Sequence, residues 1–470
     1  MDGPGSHNTV TIPVYLTLTF LRRFTCLLPR RLVFILGACL GSLWYALDAT
    51  QRRVAKSNLV NAFPAWPHRR VCRTARAVFR HLAQMALEFL RIPRYTDAAY
   101  RRRWVRIVHE EHLRAASQPG RGVIILTAHI GNWELGGLLC TALGYPAIAI
   151  AERIGPKGLM KFVNETRELM GMRVVEKRAV VRPILAALRA GEYATNLIDQ
   201  NAGRNGLEAS FFGRICSTPR GPASFALKTG APIAPAVCVL QPDGRYELRF
   251  YEPIVLRPTA DPKRDVADMT QRLTSFVEAR VREHPDQWHW EYKRWKPFNL
   301  GQFHRGFRYV ETILVHAPEA PDDLAAVLPA CEHLKAAYPH SRLAVLVKAP
   351  LAARLPASPH VNEVVEYRHR PGVRGLVDAL RTVRRVRRRY FHVAVLLTDS
   401  PGPALRMALA GIPLRVGTRG PLLSHRLPPR SPGTSARDHF LRIAARLARR
   451  PQAAPKTTSR TQAAATPSAP

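Results

Sequence analysis

His129 and Glu134, in the run Val123-Ile-Ile-Leu-Thr-Ala-His-Ile-Gly-Asn-Trp-Glu134, set an imidazole and a carboxylate five positions apart where an apolar stretch meets a helical pattern. A neutral imidazole bonded to a carboxylate through one nitrogen is fixed in a single tautomer. Its other nitrogen is then a general base for a hydroxyl. That hydroxyl belongs either to a serine of the protein or to a substrate that attacks an acyl carbonyl. No Gly-x-Ser-x-Gly elbow occurs, which favours attack by the substrate. The same spacing also suits a packed histidine beside a helix-start carboxylate that complements the helix dipole.

The positions of these groups follow from the elements around them. Val123 to Leu126 reads as a buried strand, and from Trp133 the apolar residues Leu135, Leu138, Leu139 and Leu143 take helical spacing. Asn132 is placed to cap the helix, and Gly131 permits the loop. On one helix, positions 129 and 134 would point apart, so the pair works only across that loop. Asp199 and Gln200 follow the strand-like run Ala194 to Ile198, where α/β folds place site residues; either also suits a turn that bonds its own backbone. Arg178, Arg214 and Arg220 offer forked donors for a phosphate or sugar, with a solvated basic loop as the alternative.

The stretch Thr127-Ala-His-Ile-Gly-Asn-Trp-Glu134 resembles the active-site motif of the bacterial lipid A biosynthesis acyltransferases, within the lysophospholipid acyltransferase superfamily. The resemblance runs through most of residues 30 to 297, in the family's order: Arg52-Arg53, Asn58-Leu59, Ala62-Phe63-Pro64, Arg178 ahead of Leu185-Ala-Ala-Leu-Arg-Ala-Gly191, and Asp199-Gln200. Phe211-Phe212-Gly213, Thr218, Gly221, Ala223, Thr229 to Pro235, Pro285 to Trp290 and Lys293 to Lys296 complete it. It implies that His129 is the general base and Glu134 its orienting partner. Asn132, Arg178, Asp199, Gln200, Arg214, Thr218 and Arg220 are the expected substrate contacts. The implied reaction moves a fatty acyl chain from an acyl-carrier-protein or acyl-CoA thioester to a hydroxyl of a glycolipid acceptor, at the cytoplasmic face of the inner membrane. Where the family commonly has a histidine before its closing basic pair, this chain has Glu291-Tyr292-Lys293-Arg294, a departure that bears on acceptor identity. Trp288, Trp290 and Trp295 suit either a lipid interface or a packed core.

With 71 Lys and Arg against 34 acidic residues, the 470-residue chain carries a formal charge of +37, which favours anionic lipid, an acidic carrier or nucleic acid. No zinc finger, ribonucleoprotein motif or recognition-helix pattern occurs, so nucleic acid is not expected. The seven cysteines are scattered without metal-ligand spacing and read as reduced core residues; no metal or cofactor is implied. Leu32 to Leu47 is uncharged but shorter than the roughly 20 residues of a straight span. Arg22, Arg23, Arg30 and Arg31 on one side and Arg52, Arg53 and Lys56 on the other suggest an anchor at an anionic leaflet; a buried hairpin of core helices is the alternative.

After residue 305 strands at Thr312–Val315, Leu343–Val347, Val361–Val365 and Val393–Leu397 alternate with helices at Asp323–Tyr338 and Val373–Arg389, a parallel Rossmann-like pattern. Asp323 to Pro329, Leu334 to Pro339, Pro359 to Val364 and Ala404 to Pro413 resemble the amino-terminal half of the family 9 glycosyltransferases, the lipopolysaccharide heptosyltransferases. The family's Gly-Asp pair is Asp322-Asp323 here, and no second nucleotide-binding domain follows, so residues 305 to 430 are not expected to transfer sugar alone. The expected architecture is therefore α/β throughout. An anchoring segment (1–50) precedes an acyltransferase domain with a mostly parallel sheet (51–300), a Rossmann-like half-domain (305–430), and a short helix with a disordered tail (431–470). Rival readings are a lysophospholipid or ornithine-lipid acyltransferase, and a non-catalytic membrane scaffold that would tolerate loss of His129 and Glu134.

Overall fold

The computed structural model describes residues 11–118, 120–151, 155–176, 180–295, 312–339 and 341–448. Arg178, Lys296, the junction around Phe298 to Phe303 and the tail from residue 451 lie outside the described residues. The chain divides into two compact units, Met1–Phe298 with Arg385–Tyr390, and Asn299–Arg384 with Phe391–Pro470.

The first unit begins with helices α1 (Thr11–Leu27), α2 (Arg30–Leu47), α3 (Ala49–Ala62), α4 (His68–Leu90) and α5 (Ala98–Trp104). Then follow β1 (Val105–Val108), α6 (Glu110–Ala116), β2 (Val123–Thr127), α7 (Trp133–Ala142), β3 (Ala147–Ala151), α8 (Lys157–Glu168), β4 (Arg173–Glu176), α9 (Val181–Arg189) and β5 (Tyr193–Leu197). The hairpin β6 (Leu207–Phe211) and β7 (Arg214–Thr218), α10 (Gly221–Thr229), β8 (Ile233–Leu240), β9 (Tyr246–Phe250) and α11 (Pro262–Glu283) complete it. Seven strands form one sheet in the order β1-β9-β8-β2-β5-β3-β4, parallel except for the β8–β9 pair. Val123 to Leu126 are fully buried, as befits a central strand covered on both faces. Neighbouring β5 pairs with β2 in the register Thr127↔Leu197, so the residues two positions beyond each strand, His129 and Asp199, leave the sheet side by side.

Helix α2 turns one face to α4 and the other outward. Val33, Gly37, Ala38, Gly41 and Tyr45 are buried, whereas Ile35, Leu40, Leu43 and Leu47 are at least half exposed. Glycine makes the packing possible: a Cβ on Gly37 would lie 2.7 Å from the Cα of Gln84, and one on Gly41 would collide with the carbonyl oxygen of Phe79. At its start, Arg30 is buried against Glu88 of α4, Nε to Oε1 3.0 Å. The apolar segment thus combines the two arrangements open in the sequence, packing on the body along one face and baring the other. By length and composition α2 alone among the described helices qualifies as a membrane span. Of the seven cysteines, Cys140, Cys216, Cys238 and Cys331 are core residues, but Cys39 is exposed on the outer face of α2 because the register that buries Ala38 turns it out. Trp288, Trp290 and Trp295 resolve to the core, at most 5% exposed, each indole N–H bonded within the protein.

The second unit is a parallel sheet of six strands, β10 (Thr312–His316), β11 (Arg342–Lys348), β12 (Glu363–Tyr367), β13 (Val393–Leu396), β14 (Leu414–Gly417) and β15 (His425–Arg426). Its order, β12-β11-β10-β13-β14-β15, reverses direction between β10 and β13, the doubly wound pattern expected of alternating strands and helices. The helix expected from Asp323 starts instead at Val327, as α12 (Val327–Ala337), after a 3-10 turn over Pro321–Ala326; Pro329 then falls in the first turn, where its missing N–H costs no helical bond. Helices α13 (Ala349–Ala352), α14 (Gly372–Arg387) and α15 (Gly402–Leu409) follow. The expected short terminal helix is α16 (Ala436–Ala448), and it belongs to this unit rather than to the tail: Phe440, Ile443, Ala444 and Leu447 recur at i, i+3, i+4 and i+7 and are buried with Val327, Cys331 and Leu334. Asp323, the acidic position of the glycosyltransferase resemblance, is paired with Arg430 at 3.0 Å.

Candidate active site

His129 sits on the loop between β2 and α7 with its carboxylate partner supplied from the next strand. Nδ1 of His129 is 2.8 Å from Oδ1 of Asp199, and the backbone N–H of His129 donates to Oδ2 at 2.7 Å. Trp288 Nε1 donates to the same Oδ2 at 2.8 Å. Asp199 is fully buried, and burial alone would push its carboxyl up. The charge and hydrogen bond of His129, aided by His289 and Trp288, outweigh burial and hold it well below the usual carboxylate range. An ionised carboxylate only accepts, so the proton between the pair resides on Nδ1 and the lone pair on Nε2. That nitrogen faces Gln200, whose amide nitrogen lies 3.1 Å away.

Three rings fix the plane of the imidazole. His289 stacks on His129 at 4.5 Å and 14°, Tyr292 stacks in turn on His289, and Trp133 meets His129 edge-on at 4.9 Å. Burial, reinforced by neighbouring His129, pushes the His289 imidazole down to about 3, so it is a neutral wall rather than a second charge. Burial also pushes the Glu291 carboxyl up to about 7, and its Oε2 is buried with no hydrogen-bond partner among the described residues.

The loop itself is held at three points. Gly131 has φ +60°, and a Cβ there would collide with the carbonyl oxygen of Cys238, so only glycine fits. Its N–H donates to the Gln287 carbonyl at 2.9 Å, and its own oxygen accepts from Nε2 of His81 on α4 at 3.1 Å. Asn132 Oδ1 accepts from the N–H of Leu135 at 3.0 Å, the expected cap of α7.

Two expectations are corrected here. Glu134 does not orient His129: it stands in the first turn of α7, where Arg167 from the last turn of α8 takes both carboxylate oxygens at 2.6 and 3.0 Å. Adjacent parallel strands bring Asp199 to the imidazole instead. Asn132 and Thr218, expected to touch substrate, have no exposed surface; Thr218 Oγ1 accepts from buried Arg294 at 2.7 Å. Arg214 lies partly buried over the Trp295 ring at 4.6 Å, and Arg220 is exposed just before α10. Arg167 and His289 carried no expectation from the sequence and Trp288 only that of a lipid interface or a packed core, although the last two lie in the quoted segment Pro285 to Trp290.

His129, Asp199 and His289 also place ligating atoms within 4.8 Å of one another, as do His109, Glu111 and His112 at the surface. In the first group Asp199 already accepts three N–H donors, so a cation would have to displace them. A separate cavity of about 490 Å³, lined by residues that include Glu247, Arg249, Arg280 and His284, contains none of the histidine constellation.

The family model for bacterial lipid A biosynthesis acyltransferases matches residues 5–297. The chain belongs to the bacterial lipid A biosynthesis acyltransferase family. The histidine loop, Asp199 and the Trp288-His289 segment all fall inside the part that carries this membership. Among family relatives, a phosphatidylinositol mannoside acyltransferase of Mycolicibacterium smegmatis is 30% identical over 195 residues, 40% of this chain and 62% of that protein. The lipid A biosynthesis lauroyltransferase of Escherichia coli is 24% identical over 57% of this chain and 87% of its own. The match thus spans about three fifths of the mannoside acyltransferase. A family 9 glycosyl transferase structure from Veillonella parvula aligns with 29% of the chain and 41% of its own at 15% identity and TM-score 0.27, too slight a likeness to assign any part of the chain to that family.

Proposed function

We propose that this family member is a glycolipid O-acyltransferase in which His129 is the general base and Asp199, rather than Glu134, orients it. The observation that carries the reading is the 2.8 Å contact between His129 Nδ1 and Asp199 at the carboxyl ends of adjacent strands, which makes Nε2, the nitrogen that faces Gln200, the one that carries the basic lone pair. The acceptor hydroxyl gives its proton to Nε2 as its oxygen attacks the thioester carbonyl. Collapse of the tetrahedral adduct breaks the C–S bond, and the imidazolium returns the proton to the departing sulfur. Asp199 stabilises that imidazolium while it exists. Glu134 and Arg167 act on this reading as a clamp between α7 and α8. Arg178 and Arg220 are the proposed contacts for acceptor phosphate, with Arg214 closer to the aromatic core.

The donor is an acyl-carrier-protein thioester, an acidic partner that a chain of net charge +37 attracts over a distance. The outward face of α2, with Phe20 and Phe24 of α1, is exposed apolar surface on the same unit and supports a membrane location in which these helices lie in the interface; the cytoplasmic face of the inner membrane is the location proposed with the acyl-carrier-protein donor. The acceptor is a lipid A precursor. The higher identity to the mannoside acyltransferase supports a phosphatidylinositol mannoside as the second candidate. The experiment is acyl transfer from a panel of carrier-protein and CoA thioesters to both acceptors in detergent, comparing wild type with His129→Ala. Label in one glycolipid with wild type, reduced about a hundred- to ten-thousand-fold in the variant, supports reaction and base. Near-normal turnover by a folded variant removes the role of His129.

A further inference from the structure

The lone pair that the reaction needs is already occupied. Because Nδ1 of His129 donates to Asp199, Nε2 can only accept, and the group 3.1 Å from it is the side-chain nitrogen of Gln200, an amide donor. A hydroxyl must approach within about 2.6–3.2 Å of the same nitrogen to be deprotonated. One lone pair does not serve both, so the acceptor has to take the place that Gln200 holds. Gln200 follows Asp199 directly, and its neighbour Asn201 is tied down by an N–H bond to the Tyr292 hydroxyl at 3.1 Å and a side-chain bond to the Arg294 carbonyl. With its backbone flanked on both sides, the displaced side chain swings only by its own torsions and stays beside the attacking oxygen.

Resting on the acyl-transfer reading above, we propose that Gln200 is a catalytic residue that exchanges partners: it caps the base before the acceptor binds and donates to the acyl oxygen after it. When the acceptor oxygen forms its bond to the acyl carbon, its proton passes to Nε2 and the carbonyl π pair moves onto the acyl oxygen. The amide N–H released from Nε2 meets that new negative charge. When the C–S bond breaks, the pair returns to the carbonyl, the sulfur takes the proton from the imidazolium, and the amide goes back to the emptied lone pair. A donor used this way contributes to the transition state, and the capped state keeps the base from activating water while no acceptor is present.

Two variants and two readouts test this. Gln200→Ala removes cap and donor; Gln200→Glu keeps the size but, as a carboxylate, has nothing to donate to an oxyanion. With both proteins compared at the same pH, the 15N resonance of His129 Nε2 is expected to move downfield in Gln200→Ala as the nitrogen loses its donor. Asp199, His289 and Glu291, the ionisable groups around the ring, are the same in both proteins. In steady-state transfer both variants are expected to lose roughly 10²–10³ in kcat, with the alanine variant's KM for the acceptor no higher than wild type's. An unmoved resonance, or turnover within about threefold of wild type in either folded variant, overturns the proposal. Failure of the parent reading looks different: wild type itself then transfers no acyl group to any acceptor, which takes the oxyanion role with it whatever the resonance does.

Discussion

Asp199→Asn separates the pairing seen here from any other account of His129. The carboxylate accepts three N–H donors, two of them at Oδ2 from the His129 backbone and Trp288, and one at Oδ1 from the imidazole. An asparagine that keeps its oxygen at the Oδ2 position retains two of the three bonds, and its NH2 then faces Nδ1. Two donors do not bond, so the imidazole shifts its proton to Nε2 and loses the lone pair that would take the substrate proton. The fold loses one charge-assisted bond, about 1.5–3 kcal/mol. On the proposed role of His129, turnover loses its general base, roughly 10²–10⁴-fold or about 3–5 kcal/mol of barrier. Asp199→Ala would be less informative, because three orphaned buried donors at about 1–3 kcal/mol each threaten folding itself. The assay is acyl transfer at saturating thioester, with thermal unfolding followed in parallel by tryptophan fluorescence. Turnover within about threefold of wild type, at a melting temperature that shows a folded protein, would refute the tautomer argument.

Three further expectations rest on other parts of the molecule. Between the ordinary Glu value of 4.5 and about 7, Glu291 is neutral in the fold but ionised in the unfolded chain, so its contribution is complete below 4.5 and lost as pH rises through 7, about 3 kcal/mol in all. Glu291→Gln should flatten that part of a stability-versus-pH curve, and an unchanged slope by denaturant titration would contradict the burial argument. Arg167→Ala and Glu134→Ala should show a coupling of about 0.5–3 kcal/mol in a double-mutant cycle, and additive effects would mean that the two do not pair. Gly41→Val should cost about 1–3 kcal/mol or more because α2 must lift from the Phe79 carbonyl, whereas Cys39→Ala on the outer face should stay within about 0.5 kcal/mol; equal melting temperatures for the two would contradict the close packing.

The sequence disclosed the strand at Val123, the helix from Trp133, its Asn132 cap and the Gly131 turn, because each has a local signature: an unbroken apolar run, helical spacing, a short polar cap and a residue without Cβ. The partner of His129 left no such local mark. Glu134 is near in sequence, but Asp199 is near in space only once β2 and β5 pair in register, and a strand-ending position 70 residues away offers no periodicity to read. The clue was that both residues follow strand-like runs, although the equal offset of two residues emerges only once the strands end at Thr127 and Leu197. Trp288 and Trp290 were equally open between membrane and core, since an aromatic run looks alike in either place; the indole bond to Asp199 exists only in the assembled core. In the second unit the alternation of strands and helices carried the architecture, while β14, β15 and the core role of α16 depended on which faces met.

Helix α4 is shared property. Along one side it receives the backbone of α2 through Gly37 and Gly41, and from another it extends His81 to the carbonyl of Gly131, one peptide from Ile130 and two from His129. If the outer face of α2 rests in lipid, the height of the imidazole above the acyl chains is set by a helix pair locked at two glycines, not by a hinge. Evolution then has two independent dials: the exposed Ile35, Leu40, Leu43 and Leu47 can be exchanged to suit a different bilayer without disturbing the reaction, whereas any side chain placed at Gly41 would tilt the floor on which the histidine loop stands.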